Sequence, residues 1–486
     1  MQNSNANNKV ASSLLWKFLE RGGVQVVQFI VSILIARILS PRDYGSVALL
    51  TIFISIATVF VQSGLSTALI QKKDADEIDY ASVFYYSIGL AIIVYLLLFL
   101  SAGWIAEFYA LPDLISILRV MSITLFPGAL NALQIAILSK QMQFKKQFYS
   151  SLAAAIISGG IGLSFAVLNY GPWALVYQQL SYQFTICIVL FFLIKWRPSF
   201  AFSFSRTKAL LSYGLRLLMA RLIDTVYHNI ESLIIGKWYS AETLAYCNKG
   251  KMFPMTLIDN IDGSIQSVML PAYAAKQDDK QAVKEMLRKT VSICTYLSFP
   301  AMIALAAMSK PIIGLVLGVQ WLEAVPYMQL FCIVAMLSPL QTANLQAINA
   351  LGRSDIYLKL TTMKRIIGVC IIFASVFIYD SPFAVIIAAI IIEVVAIIIN
   401  IPSNVKLINY NIKEQMTDIY PNLIISSITG ICIYCVIFLE LDYFLTIICQ
   451  LFVLFVMYYS LSRLTSNKNL DYATILWHTI KHKSYA

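Results

Sequence analysis

The stretch SIGLAIIVYLLLFLSAGW, residues 87–104, contains no charged side chain and is about as long as a bilayer is thick when helical. The rest of the chain has the same character. Its 486 residues are 59% hydrophobic and 13% charged, whereas soluble domains carry about 25% charged residues. The sequence therefore predicts an integral membrane protein and excludes an ordinary soluble domain.

Similar apolar stretches recur along the chain. Because lipid offers no hydrogen bonds to the backbone, and no stretch alternates in polarity as a barrel strand would, we expect helices. We predict an all-α fold of about 14 transmembrane helices, at roughly residues 12–39, 44–66, 81–104, 115–138, 148–168, 173–194, 212–236, 244–270, 291–317, 325–349, 357–379, 383–402, 421–439 and 443–463.

Basic residues are distributed unevenly between the predicted loops. With the N-terminus in the cytoplasm, 25 of the 36 Lys and Arg fall on the cytoplasmic side and 4 on the other. Positive residues favour the cytoplasmic side of a membrane protein. We therefore expect both termini in the cytoplasm, and we attribute the net charge of +11 to topology rather than to nucleic-acid binding.

Two pairs of segments indicate an internal repeat. SILIARILSPRDYG (32–45) is echoed by SLIIGKWYSAETLA (232–245), and PGALNALQ (127–134) by PLQTANLQ (339–346). Six predicted helices separate the copies, so both have the same orientation. We predict two pseudo-symmetric six-helix lobes around a central cavity: an N-lobe (1–200), a C-lobe (201–405), and a segment 406–486 with helices 13 and 14 and a cytoplasmic tail.

Charged and polar residues inside the spans are the candidates for function, because a buried charge costs about 2.5–3.5 kcal/mol and normally faces protein or water. On predicted helices 1 and 7 they form stripes of helical spacing. Arginines on both walls of a cavity suit a di-anionic group such as pyrophosphate. We expect pyrophosphate binding by Arg21, Arg119, Arg216, Arg221, Lys249 and Lys251, and further cavity contacts from Gln25, Gln28, His228 and Asn248.

The acids within the spans have two interpretations. They could bind a coupling ion, or they could pair locally, as with Glu20 beside Lys17 or Arg221 beside Asp224. Glu393, which has no base nearby in its own helix, is the best candidate for a proton carrier. The acidic candidates for coupling or pairing are Asp224, Glu231, Asp259, Asp262 and Glu393.

The segments WKFLERGGVQVVQFIVSILIARILSPRDYGSVAL (16–49), QSGLSTALIQKKD (62–74) and ALGRSDIYLKL (350–360) resemble the Wzx-type polysaccharide exporters, in the WzxC and teichuronic-acid exporter branch of the multidrug/oligosaccharidyl-lipid/polysaccharide superfamily. The resemblance covers roughly residues 10–405. It implies two six-helix lobes, a cationic cavity, and flipping of a polyprenyl-pyrophosphate-linked oligosaccharide to the outer leaflet of the bacterial plasma membrane for lipopolysaccharide or exopolysaccharide synthesis. It also implies lipids and other polysaccharide-assembly proteins as partners.

Other functions are less consistent with the sequence. A multidrug exporter of the same fold would need an acid-dominated cavity. A polysaccharide polymerase or ligase usually has a large outer loop. A membrane scaffold would not need duplicated buried arginines. No ATP-binding P-loop is present. The eight cysteines, including Cys432 and Cys435, are expected to pack in apolar helices rather than bind metal. We expect no enzymatic activity, no cofactor and no nucleic-acid partner.

Overall fold

The computed structural model describes residues 2–62, 64–467 and 469–470; the side chains of residues 2–15, 18, 21, 209 and 213 and the predicted tail after residue 470 lie outside the description. Every regular element in the described part of the chain is helical, as expected. The α-helices of the N-terminal half are α1 (Gln2–Ile38), α2 (Pro41–Gln62), α3 (Leu65–Gln71), α4 (Glu77–Tyr109), α5 (Leu114–Met121), α6 (Leu125–Lys140), α7 (Phe144–Val167), α8 (Trp173–Leu193) and α9 (Phe204–Trp238).

The second half continues in the same way. Its helices are α10 (Ala241–Ala274), α11 (Lys280–Ala307), α12 (Ser309–Val316), α13 (Val325–Ala350), α14 (Ser354–Ile378), α15 (Pro382–Ile408), α16 (Ile412–Cys435) and α17 (Tyr443–Leu464). Among the described residues, eleven helical segments are long and apolar enough to cross a membrane, which indicates a multi-pass membrane protein.

Three further long helices cover the predicted first, seventh and eighth spans but are not among those eleven. In the described part of α1 the apolar stretch is Gly22–Ile38, whereas α9 carries one of the polar stripes described above and α10 carries several charged residues. The predicted count of 14 transmembrane helices depends on whether these three polar helices cross the bilayer.

The order of elements repeats. In the first half, α4 is followed by a short α5, a 3₁₀ turn (Ser122–Thr124) and α6; in the second, α11 is followed by a short α12, a 3₁₀ segment (Val319–Ala324) and α13. The first 3₁₀ turn ends three residues before Pro127, whose ring clashes with the carbonyl group of Ile123 in a regular α-helix. The echoed segment PGALNALQ thus begins where the helix changes its winding.

The chain forms two compact units, residues 1–245 and 246–486. In the first unit α7 packs on α1 and α8, and α6 packs on α2, α4 and α8. In the second, α13 packs on α11 and α15, and α14 packs on α15. The pairs α6–α8 and α7–α8 thus correspond to α13–α15 and α14–α15, as a repeat requires.

The units do not coincide with the lobes that we predict from the repeat, because α9 packs against α2, α3 and α4 in the first unit. The last two helices, α16 and α17, pack on α11 and α12 and so lie within the second unit. The lobe boundaries at residues 200 and 405 remain predictions.

Candidate functional site

A cavity of about 440 Å³ lies inside the first unit, within the ~300–1,000 Å³ range of small-molecule sites. Four helical segments and one 3₁₀ turn supply its walls. None of the described lining residues carries a charge, but most are polar. The polar ones are Thr51, Ser55, Thr58 and Gln62 from α2, Thr124 from the turn, Asn131 from α6, Gln179, Tyr182 and Gln183 from α8, and Thr225 from α9.

Asn131 ties two walls of this cavity together. Its Nδ2 donates to the backbone oxygen and to Oε1 of Gln183, both at 3.0 Å. The residue is only 4% exposed, and its Oδ1 has no partner among the described residues. Since an unpaired buried acceptor costs about 1–3 kcal/mol, the presence of Asn131 here indicates a functional role for that acceptor.

Of the predicted arginines, Arg221 on α9 lies beside this cavity. It is one helical turn from Thr225 and therefore on the same side of α9. Its exposed guanidinium reaches α3, where Nη2 lies 3.4 Å from Thr67 Oγ1. Arg216, also exposed, is nine residues from Thr225, so it projects from the opposite side of the helix.

Arg119 is turned toward α4 instead. Its Nε donates to the carbonyl oxygen of Phe99 at 3.4 Å, and the guanidinium lies 4.2 Å from the centre of the Phe99 ring. This cation–π contact engages the Arg119 guanidinium within the first unit.

The predicted polar stripes are partly brought to the cavity. Gln28 shares a hydrogen bond with Tyr182 in the cavity wall, and both Gln25 and Gln28 are exposed. On α9, His228 Nε2 lies 3.7 Å from Asp224 Oδ1, and Glu231 is half-buried. The side chain of Arg21 lies outside the described residues. Glu20 pairs with Lys17 at 2.6 Å, one of the local pairings that we considered.

The α10 bases contact aromatic rings of the second unit. Lys249 is buried, with Nζ 5.9 Å from the centre of the Trp321 ring, and Lys251 Nζ lies 5.3 Å from that of Phe331. Asn248, adjacent to them, is half-buried, and Asp259 is exposed.

The second unit brings two predicted acids to a single face of α13. Asp262 accepts hydrogen bonds from Ser338 and Thr342. Glu393 accepts one from the Gln341 amide, and Lys364 Nζ donates to Gln341 Oε1 at 3.2 Å. Gln341 thus bridges a half-buried acid and a half-buried base.

Sequence reasoning missed Lys364, Gln341 and the cavity residue Asn131. Lys364 lies inside the predicted span 357–379, but we assigned it to a cytoplasmic loop. Gln341 and Asn131 belong to the echoed segments, which we used only to recognise the repeat. Their polar residues within otherwise apolar spans were the available signal, because such residues normally face a site or another helix.

Residues 34–326 match the polysaccharide biosynthesis protein family. The chain belongs to this family. It is 24% identical to the teichuronic acid biosynthesis protein TuaB of Bacillus subtilis, covering 72% of each chain. It is 23% identical to the succinoglycan biosynthesis transport protein ExoT of Rhizobium meliloti, covering 68% of each, and 24% identical to the lipopolysaccharide biosynthesis protein WzxC of Escherichia coli, over 70% of this chain and 69% of that one. The resemblance read from the sequence is confirmed.

Solved structures show the same fold. The lipid II flippase MurJ in an inward closed conformation superposes with a TM-score of 0.74 at 15% identity, over 93% of this family member and 98% of MurJ. An inward-facing MATE multidrug transporter of the MOP superfamily superposes with a TM-score of 0.60 at 15% identity, over 78% of this chain and 94% of the transporter. At such identities the similarity concerns the fold only.

Proposed function

We propose that this protein is a flippase of the bacterial plasma membrane that moves a polyprenyl-pyrophosphate-linked oligosaccharide from the cytoplasmic to the outer leaflet for cell-surface polysaccharide synthesis. The observation that carries the proposal is the position of Arg221, an exposed base one helical turn from a polar cavity. Membership of the polysaccharide biosynthesis family supports it. The polar α1, α9 and α10 count as transmembrane in this proposal, giving 14 spans with both termini in the cytoplasm.

Arg221 has the chemistry needed to hold a pyrophosphate. A guanidinium stays protonated at any cellular pH and can bind two phosphate oxygens at once. A pyrophosphate without such a counter-charge could not enter the low-dielectric membrane interior. Arg21, Arg216, Lys249 and Lys251 are proposed as further contacts during transport. Arg119 is a weaker candidate because it is engaged by Phe99.

The cluster around Gln341 is proposed to couple transport to an ion gradient. Glu393 and Asp262 are acids in membrane helices, each held by hydrogen bonds from α13. Lys364 provides a positive charge that a bound proton or sodium ion would compete with. Alternating access, in which lobes rock to expose the substrate to each side, is the transport mechanism proposed here.

The experiment is complementation of a deletion strain. We expect Arg221→Ala, alone and with Arg21→Ala, to lower surface polysaccharide by at least about tenfold and to accumulate lipid-linked oligosaccharide, since losing a charged hydrogen bond costs about 1.5–3 kcal/mol. Arg353→Ala is the matched control, because Arg353 is an exposed arginine that pairs locally with Asp355 at 2.7 Å. Unchanged polysaccharide in a normally expressed double variant would overturn the role of these arginines.

The deletion strain itself distinguishes the alternatives. A flippase deletion displays no glycan, whereas loss of a polymerase leaves single repeats on the surface. If the deletion instead sensitises cells to cationic drugs while polysaccharide stays normal, the protein is a drug exporter.

A further inference from the structure

We propose that the cavity of the first unit is a binding subsite for uncharged sugar residues of the transported glycan, and that it excludes pyrophosphate and acidic sugars. This inference rests on the proposed function and assigns one part of the substrate to a defined place. Most of the lining residues are polar, yet none of those described is charged.

Four of the six hydroxyl groups in the walls are arranged as acceptors. Each of the four donates its only hydrogen to a backbone carbonyl oxygen of its own chain segment, which leaves its lone pairs for a ligand. The donor–acceptor distances are 2.9 Å from Thr51 to Val47, 2.8 Å from Ser55 to Ile52, 2.7 Å from Thr58 to Ile54 and 2.6 Å from Thr124 to Met121.

The amide of Asn131 extends this pattern. Both of its described hydrogen bonds are donated, to Gln183, and its Oδ1 is left without a described partner. The wall therefore has unmet acceptors, while Gln62 and Gln179 offer amide groups that can donate as well as accept.

The ligand must supply donors to match such a wall. A sugar presents one O–H donor at each hydroxyl, whereas ionised phosphate and carboxylate groups only accept. An anion would place its lone pairs against those of the wall hydroxyls and would find few donors to replace its hydration.

The position of Arg221 fits this division of the substrate. The base lies one turn of α9 from Thr225 in the cavity wall, and in the lipid-linked substrate the first sugar is bonded directly to the pyrophosphate. A pyrophosphate on Arg221 would thus place the adjoining sugar at the cavity.

The test measures binding to purified full-length protein in nanodiscs. The three probes are undecaprenyl pyrophosphate alone, the same carrier with one neutral hexose, and the same carrier with one hexuronic acid. We expect the hexose to tighten binding roughly tenfold, the effect of one or two hydrogen bonds, and the hexuronic acid not to tighten it.

The variant Ser55→Ala with Thr58→Val should abolish the gain from the hexose and leave binding of the bare carrier unchanged. The matched control is Ser375→Ala with Thr429→Val, because these hydroxyls make the same bonds to their own helices, at 2.7 and 2.8 Å, in the second unit. Asn131→Leu provides an independent second variant on another wall.

Four outcomes would overturn the inference. If the hexose gain survives in both cavity variants, or if the hexuronic acid binds as tightly as the hexose, the subsite is wrong and the flippase proposal stands. If the cavity variants instead lose binding of tetraphenylphosphonium, the cavity is a cation site. If no carrier binds the wild-type protein, the proposed function itself fails.

Discussion

Gly64 and Gly214 bring two helices of the first unit together backbone to backbone: a Cβ on Gly64 would lie 2.5 Å from the Gly214 carbonyl oxygen. Gly64 also has a φ of +67°, in the left-handed region, between the end of α2 at Gln62 and the start of α3 at Leu65. Both requirements select glycine. The interruption of α2 is therefore held against α9, the helix that carries Arg221.

We expect Gly64→Ala to destabilise the protein by about 1–3 kcal/mol, since it adds backbone strain and a clash with a carbonyl group that cannot move freely. Thermal unfolding in detergent measures the effect. Gly89→Ala is the control: a Cβ on this helical glycine of α4 meets nothing within 4 Å, so it should be neutral or slightly stabilising. Equal unfolding temperatures for the two variants would contradict the close approach.

The bridge from Lys364 through Gln341 to Glu393 leads to a prediction about stability. Both groups are half-buried and share the Gln341 amide as their hydrogen-bond partner, and leaving a polar group without its partner costs about 1–3 kcal/mol. Lys364→Met should therefore be destabilising by that amount, and Glu393→Gln added to it should recover part of the loss. Unfolding of the two single variants and the double variant in bicelles measures the coupling.

The exposed pair Arg353–Asp355 serves as the comparison for that cycle. Its partners are 44% and 64% exposed, so its removal should change stability by no more than about 1 kcal/mol. If the double variant at Lys364 and Glu393 is as unstable as Lys364→Met alone, the two groups are not coupled.

The N-terminal ends of α4 and α9 are joined by an ion pair with a defined pH dependence. Arg206 bonds Asp76 and lies 3.8 Å from Asp79, and this guanidinium holds the pKa of Asp76 at about 2, against about 3.9 for a free aspartate. A lowered folded-state pKa means that the pair contributes stability above about pH 4 and that this contribution is lost as the pH falls toward 2.

Between pH 5 and 8 this contact should therefore be constant, whereas Arg206→Gln should loosen it at every pH in that range. Hydrogen–deuterium exchange over residues 204–210 should be faster in the variant and independent of pH after correction for intrinsic rates. Lys208→Gln, at an exposed position of the same helix, should leave exchange unchanged; an equal effect of both substitutions would contradict the prediction.

Charge also fixes α16 on α11 in the second unit. Arg288 donates two hydrogen bonds to Asp418, at 2.9 and 2.8 Å, and Lys284 Nζ lies 2.7 Å from Glu414. Paired donors of this kind are directional as well as strong. Arg288→Asp should lower the thermal midpoint by several degrees and expose α16 to limited proteolysis.

Adding Asp418→Arg to that variant should restore much of the docking, because the same two charges then face each other with reversed positions. Asp418→Arg alone should be as harmful as Arg288→Asp alone. Failure of the double variant to improve on either single one would show that packing, and not this pair, holds α16.

Much of the fold could be predicted from the sequence because the bilayer imposes a simple rule. Stretches such as residues 87–104 must be helical in lipid, and the observed α4 contains that stretch. Even the polar α9 was recognisable from the echo of residues 32–45. The short α5 and α12 were not, because a change from α-helix to 3₁₀ winding leaves hydropathy unchanged.

The candidate site was less predictable. Spacing put Arg216 and Arg221 on one polar helix, but only the packing of α9 against α2 and α3 placed Arg221 beside the cavity. Asp262 and Glu393 are 131 positions apart in the chain, and α13 brings hydrogen-bond donors to both. Lone polar residues such as Asn131 carry no pattern that reveals their neighbours.

The sequence by itself determined that this protein is a helical membrane protein with an internal repeat, because hydropathy and helical spacing are properties of short segments and lipid tolerates few alternatives. Tertiary structure decided which polar groups meet: a cavity free of described charges in one unit, and a half-buried acid–base bridge in the other. The physical reason is that hydrogen bonds and ion pairs act over a few ångströms, so their partners are chosen by helix packing between residues far apart in the chain.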